Sequence, residues 1–293
     1  MSWLQLIIQC NGNLTEQLDD ALMALGACAV TLVDNADQPL FEPPPGATPV
    51  WDESRLTALF EKDVDLDQII TTLKQLVPVE PFPDYRCEAL EDKDWEREWM
   101  DNYHPMQFGQ RLWVCPSWKE APEPGAVNLM LDPGLAFGTG THPTTSLCLQ
   151  WLDGLDLADK TLIDYGCGSG ILAIAGLLLG AQRAIGIDND PQALTASRDN
   201  ANRNNVLERL EVFSPEAAPD DQADVLIANI LAGPLITLVD QIAERIKPGG
   251  LIALSGILEE QKELVLNAYQ EKFTDLQITQ LEDWIRISGK KKG

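Results

Sequence analysis

The chain has 293 residues, with 46 acidic and 21 basic side chains, a net charge of −25, and it is 45% hydrophobic. That length and composition suit two soluble globular domains, and so acidic a chain repels a phosphate backbone, which argues against direct nucleic-acid binding. No apolar run approaches the roughly 20 residues of a membrane span, and the start, MSWLQLIIQC, lacks a basic region and a small-residue cleavage site. The first 90 residues then read as short alternating elements. WLQLIIQC is strand-like. TEQLDDALMALG has helical spacing at Leu18, Ala21, Leu22 and Leu25, with Gly26 as a stop. CAVTLVD and RLTALFE read as strands on either side of the proline-rich loop FEPPPGATP. DLDQIITTLKQLVP is a helix with Leu66, Ile69, Ile70, Leu73 and Leu76 on one face and Pro78 closing it, and YRCEALE is a last strand. The order β-α-β-β-α-β over residues 1–90 is the ferredoxin-like α+β pattern, which hosts many functions and names none.

Residues 91–125 read as a connection. EDKDWEREWMDNY is a polar helix whose Trp95 and Trp99 are expected to pack it onto a neighbouring domain. RLWVCPSW is a strand and APEPG a turn. Residues 126–293 change rhythm. Strands AVNLMLDPG, TLIDYG, RAIGIDND, LEVFS, ADVLIANIL and LIALSGI alternate with helices TSLCLQWLDGL, ILAIAGLLLGA, PQALTASRDNANRN, PLITLVDQIAERIKPGG and EEQKELVLNAYQEKF. Such alternation predicts a Rossmann-like parallel sheet covered on both faces. LQITQLEDWIRISG, with its short turn, predicts an antiparallel pair at the sheet edge. The tail GKKKG reads as a solvated end. Cys10, Cys28, Cys87, Cys115, Cys148 and Cys167 are scattered without a CxxC, so neither a metal cluster nor a disulfide framework is expected and a reducing cytoplasm is.

The stretch TLIDYGCGSG carries the chemistry. A strand ending in Gly166, Gly168 and Gly170 before a helix is a ligand loop, since glycine tolerates positive φ and admits a ligand to the backbone. In a parallel sheet, ligands bind beyond the carboxyl ends of the strands. Gly168-Ser169-Gly170-Ile171-Leu172-Ala173 also fits a GxGxxA dinucleotide pattern, and Asp188 ends the next strand about 20 residues later, where an acid holds a ribose. An NAD-dependent oxidoreductase is therefore one reading. Three features favour another. Asp164, just before the loop, suits a cationic ligand group better than a pyrophosphate, and S-adenosylmethionine offers an ammonium and a sulfonium with no phosphate. Asn229 puts a polar group at the end of an apolar strand facing the same crevice. KPGGLIALSGI followed by an antiparallel pair is foreign to the standard dinucleotide order.

The glycine loop, Asp188, Asn229 and the KPGG turn resemble a class I S-adenosylmethionine-dependent methyltransferase. LDPGLAFGTGTHPTT, with DYGCGSG and NILAGPL, is more specific: it resembles the bacterial ribosomal protein L-eleven methyltransferase family over essentially the whole chain. The resemblance implies a substrate-recognition domain (1–90), a linker helix and connection (91–125) and a catalytic domain (126–293). It implies transfer of methyl groups to lysine side chains and the α-amine of a basic large-subunit ribosomal protein, and a monomer is expected. It places cofactor contacts at Thr145, Gly166, Asp188 and Asn229, with Phe137 and the loop from Gly138 to Thr141 closing over the cofactor. Asn-Ile-Leu-Ala at 229–232 departs from the Asn-Pro-Pro-aromatic motif of methyltransferases acting on DNA or glutamine amines. RNA, another protein and small molecules remain alternative substrates.

Individual residues carry further expectations. Asp188 takes both ribose hydroxyls, or else caps the helix at Pro191. Asp164 faces the cofactor ammonium through water, or caps the loop amides. The Asn229 oxygen or a carbonyl of the 229–231 turn accepts a hydrogen bond from the amine nucleophile, between apolar walls at Phe137, Leu231 and Ala232. His142 suits neutral-pH base chemistry, yet between Thr141 and Pro143 it reads better as a helix-entry residue. His104 and Cys167 read as structural. Gly138-Thr139-Gly140-Thr141 lacks the Lys-Ser/Thr of a phosphate loop.

Overall fold

The computed structural model describes residues 3–36, 38, 49–90, 103–132 and 142–293. The expected helix with Trp95 and Trp99, most of the proline-rich loop, and Phe137, Gly138 and Thr141 lie outside the described residues. The chain divides into two compact units, Met1–Met100 and Asp101–Gly293.

The first unit contains β1 (Trp3–Asn11), α1 (Thr15–Ala24), β2 (Ala29–Asp34), β3 (Glu53–Glu61), α2 (Leu66–Leu76) and β4 (Asp84–Leu90). Its antiparallel sheet has the order β2-β3-β1-β4, the ferredoxin-like arrangement. Period-2 alternation puts Leu6, Ile8, Leu56, Ala58 and Phe60 in one core with Leu18 and Leu22 of α1 and Ile70 and Leu73 of α2. Asp65 caps α2, accepting hydrogen bonds from the Asp67 and Gln68 amides at 3.0 and 3.1 Å. Leu76, expected on the buried face, is 54% exposed. The helix ends there, and Val77 turns into the core instead.

The second unit starts with a small sheet of β5 (Met106–Phe108), β6 (Leu112–Cys115) and β7 (Val127–Met130), in which β6 and β7 are parallel. Residues 103–125, expected as a connection, thus place Phe108, Leu112 and Val114 in the core of this unit. After α3 (Pro143–Asp153) come β8 (Thr161–Tyr165), α4 (Ile171–Leu178), β9 (Arg183–Ile187), α5 (Pro191–Arg203), β10 (Leu210–Phe213) and β11 (Ala223–Asn229). There follow α6 (Ala232–Thr237), α7 (Val239–Glu244), β12 (Ile246–Leu258), α8 (Lys262–Tyr269), β13 (Phe273–Leu281) and β14 (Trp284–Lys291). The seven-stranded sheet has the order β10-β9-β8-β11-β12-β14-β13. Strands β8 to β12 run parallel, and β14 is antiparallel to both neighbours. One core packs α3 and α4 on one face, and a second packs α6, α7 and α8 on the other.

This order locates the site. Successive strands run outward from β8 in one direction and from β11 in the other, so the crevice opens at their carboxyl ends. Those ends carry the glycine loop and Asn229.

Two local expectations change, for KPGG and for the lysine tail. The long helix expected through KPGG is broken at Leu238, and Pro248, Gly249 and Gly250 belong to a bulge in β12. There Ala223 pairs with Ile246 but Val225 pairs with Leu251. Proline offers no ladder donor, and Gly249 has φ +77°. The antiparallel pair forms at the sheet edge as expected, with β14 lying between β12 and β13. The lysine tail is not a free end: Gly289, Lys290 and Lys291 pair with Ile252, Leu251 and Phe273.

Among the described residues, no helix is long and apolar enough to cross a membrane, and no group of His, Cys, Asp or Glu is placed to hold a metal. All six cysteines are free thiols.

Candidate active site

Gly166, Gly168 and Gly170 all have positive φ, at 79°, 53° and 79°. At Gly166 an added Cβ would also run into the Ile230 side chain, so the carboxyl ends of β8 and β11 approach through a glycine. Gly170 is the N-cap of α4. The Gly166 and Cys167 amides bond to the Ile187 carbonyl at 2.7 and 3.1 Å, which ties the loop to the end of β9.

Above this loop lies a cavity of about 660 Å3. Its wall brings together Thr145 of α3, Gly166 and Gly168, Asp188, Asn229 and Leu231. Gly170, Asp164 and Ala232 are not on it. Gly170 packs against Ser197, and Ala232 turns into the core beneath α6.

Asp188 follows β9. Its Oδ2 accepts from the Gly168 amide at 2.8 Å and its Oδ1 from the Asp190 amide at 3.0 Å. The cap of α5 is Asp190, which accepts from the Gln192 amide at 2.8 Å. The capping alternative thus belongs to its neighbour, and Asp188 keeps its place on the cavity wall.

Asp164 is fully buried. Its Oδ2 accepts from the Ala173 amide at 3.0 Å, in the first turn of α4, and its Oδ1 has no partner among the described residues. Of the two roles expected for it, the geometry matches capping, at the helix rather than at the loop. Burial pushes its pKa up to about 7, against the pull of the Ala173 amide. The fold therefore favours the protonated acid. This contribution to stability is full below about pH 4 and is lost as pH rises through about 7. Relative to the native protein, Asp164→Asn, a neutral isostere, is expected to gain about 5 °C in melting temperature between pH 5.5 and pH 8. Thermal melts of the cofactor-free chain test this, and an equal gap at both pH values would sink it.

Asn229 ends β11, and its Nδ2 donates to Thr145 Oγ1 at 3.4 Å. Thr145 is buried, 84 residues away in sequence. His142 is the N-cap of α3: its Nδ1 accepts from the Thr144 amide at 3.3 Å, lies 2.8 Å from Thr144 Oγ1, and Pro143 takes the first helical position. Capping requires the unprotonated Nδ1, and burial lowers the His142 pKa in agreement. The helix-entry expectation describes this geometry, but His142 also lines the cavity, with its ring centroid 4.8 Å from that of Trp284. Cys167 is on the wall as well. Burial pushes its thiol up to about 12, so it is no thiolate nucleophile.

Several wall residues escaped the sequence reading, Trp284 and Gly256 among them. Trp284 begins β14 and reaches the cavity only because β14 inserts next to β12. Gly256 has φ +81°, and a Cβ there would collide with the Ile230 carbonyl. Its signal was a lone glycine inside the strand LIALSGI, which marks a bulge or a close backbone approach.

Comparison with known proteins identifies relatives along nearly the whole chain. The family model described as Ribosomal protein L11 methyltransferase (PrmA) matches residues 2–292. A Ribosomal protein L11 methyltransferase of Pectobacterium carotovorum subsp. carotovorum is 57% identical over 293 residues, covering 100% of this chain and 99% of the relative. One from Serratia proteamaculans is 56% identical over 293 residues, covering 100% of both. The crystal structure of a ribosomal protein L11 methylase from Lactobacillus delbrueckii subsp. bulgaricus is 31% identical with a TM-score of 0.60, over 65% of this chain and 100% of that one. With a match that runs from residue 2 to residue 292 and relatives of equal length above half identity, the chain belongs to the ribosomal protein L11 methyltransferase (PrmA) family.

Proposed function

We propose that this chain methylates ribosomal protein L11 on amino groups, both lysine side chains and the α-amine. The observation that carries the reading is one cavity joining the glycine loop, Asp188 and Asn229 at the carboxyl ends of β8, β9 and β11. The family is S-adenosylmethionine-dependent. The residues fit that cofactor better than a dinucleotide. Among the described residues no Lys or Arg lines the cavity, while the carboxylate of Asp188 does. The first turn of α4, where a pyrophosphate would seek amides, already carries the Asp164 carboxyl.

Asp188 would hold the ribose hydroxyls, and Gly166 and Gly168 would let the cofactor lie against bare backbone. When bound, S-adenosylmethionine supplies a methyl group on a sulfonium, which leaves as a neutral thioether. The chain's own task is to position and desolvate the amine. A lysine with its usual pKa costs about 4.6 kcal/mol to deprotonate at pH 7, and an α-amine about 1 kcal/mol. Apolar walls lower that cost by disfavouring the ammonium, and Leu231, Pro234 and Leu238 supply them. With Nδ2 turned to Thr145, the Asn229 oxygen is the end available to accept a hydrogen bond from the amine and aim its lone pair. The net charge of −25 acts at longer range, drawing in a basic protein. Residues 1–90 would serve as the substrate-recognition domain.

The test is mass spectrometry of ribosomal proteins from cells lacking this gene, incubated with the purified chain and S-adenosylmethionine. Methyl-sized mass gains on the lysines or α-amine of L11 are expected. Tight cofactor binding without transfer to L11 would discard the substrate.

A further inference from the structure

Helix α5 carries Ser197 and Asn200, and its C-cap is Asn204, at i, i+3 and i+7 on one face. None of them lines the cavity, yet each reaches backbone outside the helix. Ser197 Oγ donates to the Gly168 carbonyl at 3.0 Å. Asn200 Nδ2 donates to the Ser169 carbonyl at 2.9 Å. Asn204 brackets Met130 of β7, accepting from its amide at 2.7 Å and donating to its carbonyl at 2.8 Å.

We propose that Ser197 and Asn200 are positioning residues of the cofactor loop, acting through its carbonyls. This rests on the cofactor reading above. The three glycines of the loop have no side chains to hold it, and each can adopt many backbone conformations. Ser197 and Asn200 tie two consecutive carbonyls to a rigid helix. Because a trans peptide directs its N–H opposite to its C=O, fixing the carbonyls fixes the peptide planes. Those planes carry the Ser169 and Gly170 amides, and in that arrangement the Gly170 amide closes a turn onto the Cys167 carbonyl at 2.7 Å. The grip also explains why Gly170 must be bare: a Cβ there would press on Ser197. A loop ordered beforehand spares the cofactor the ordering cost at binding. The loss on cutting the grip therefore belongs to cofactor affinity rather than to the chemical step.

The experiment uses the full chain with Ser197→Ala and Asn200→Ala. Asn202→Ala, at an exposed position of the same helix, is the control. S-adenosylhomocysteine is titrated calorimetrically, amide hydrogen exchange of residues 166–170 is followed without ligand, and methyl transfer is timed. Each alanine variant is expected to raise the dissociation constant about tenfold, the effect of one lost bond to a buried carbonyl. Exchange at Gly170 should quicken, and KM for the cofactor should rise while kcat at saturation stays within about twofold. Ser197→Thr, which keeps the hydroxyl, should restore affinity. A dissociation constant within about twofold of native in both alanine variants overturns the proposal. So does a loss that appears equally in kcat and in the cofactor-free melting temperature. If the native chain itself binds no S-adenosylhomocysteine, both this inference and the cofactor reading fall. Native binding with unaffected variants removes this inference alone.

Discussion

Asp188→Ala is expected to raise the dissociation constant for S-adenosylhomocysteine at least about 100-fold while the chain stays folded. Two hydrogen bonds from ribose hydroxyls to a carboxylate contribute on the order of 1.5–3 kcal/mol each, so losing both exceeds the roughly 2.7 kcal/mol that a factor of 100 requires. The fold should tolerate the change because the side chain is not the cap of α5; Asp190 keeps that role. The Gly168 and Asp190 amides that Asp188 now satisfies lie beside an open cavity, where water can replace it. Asp188→Asn keeps the shape but loses the charge and one acceptor, so an intermediate loss of about tenfold is expected. Calorimetric titration beside circular dichroism separates binding from folding. A dissociation constant within about threefold of native in Asp188→Ala would remove the residue from the cofactor site.

Asn229→Ala should lower kcat about 100-fold, the usual scale for a misaimed reacting group, with a smaller change in cofactor affinity. The alanine removes the acceptor that would orient the amine and leaves Thr145 Oγ1 without its donor from β11. Thr145→Val removes only the bond that turns the amide, so its loss should be smaller, about fivefold. Asn229→Asp is informative through pH. A carboxylate beside the nucleophile holds the ammonium in its charged form, so that variant should be nearly inactive at pH 7 and recover as pH rises. Single-turnover rates at saturating cofactor measure these effects. Native turnover and affinity in Asn229→Ala would leave the carbonyls of the 229–231 turn as the remaining acceptors.

Much of the molecule was legible in the sequence because its signals are local. Helical spacing at Leu18, Ala21 and Leu22, alternation along RLTALFE and three alternate glycines after TLIDY each follow from backbone geometry within a few residues. They yielded the ferredoxin-like unit, the parallel sheet and the loop. Strand-end position did the same for Asp188 and Asn229, because polar side chains that close apolar strands collect at the carboxyl edge.

What only the tertiary structure decided depends on partners distant in the chain. Asp164 adjoins the loop in sequence, yet its strand turns the carboxyl under α4, to Ala173 and away from the cavity. KPGG carries the residues of a helix stop, but pairing with β11 makes it a bulge in β12. Trp284 reaches the cavity because β14 inserts beside β12. Gly256 matters because the Ile230 carbonyl crosses it. The bonds from Ser197 and Asn200 to the loop span 29 and 31 residues. Local preference sets which elements form and which residues end them. The directions in which those ends point are set by contacts that exist only after the sheet has assembled.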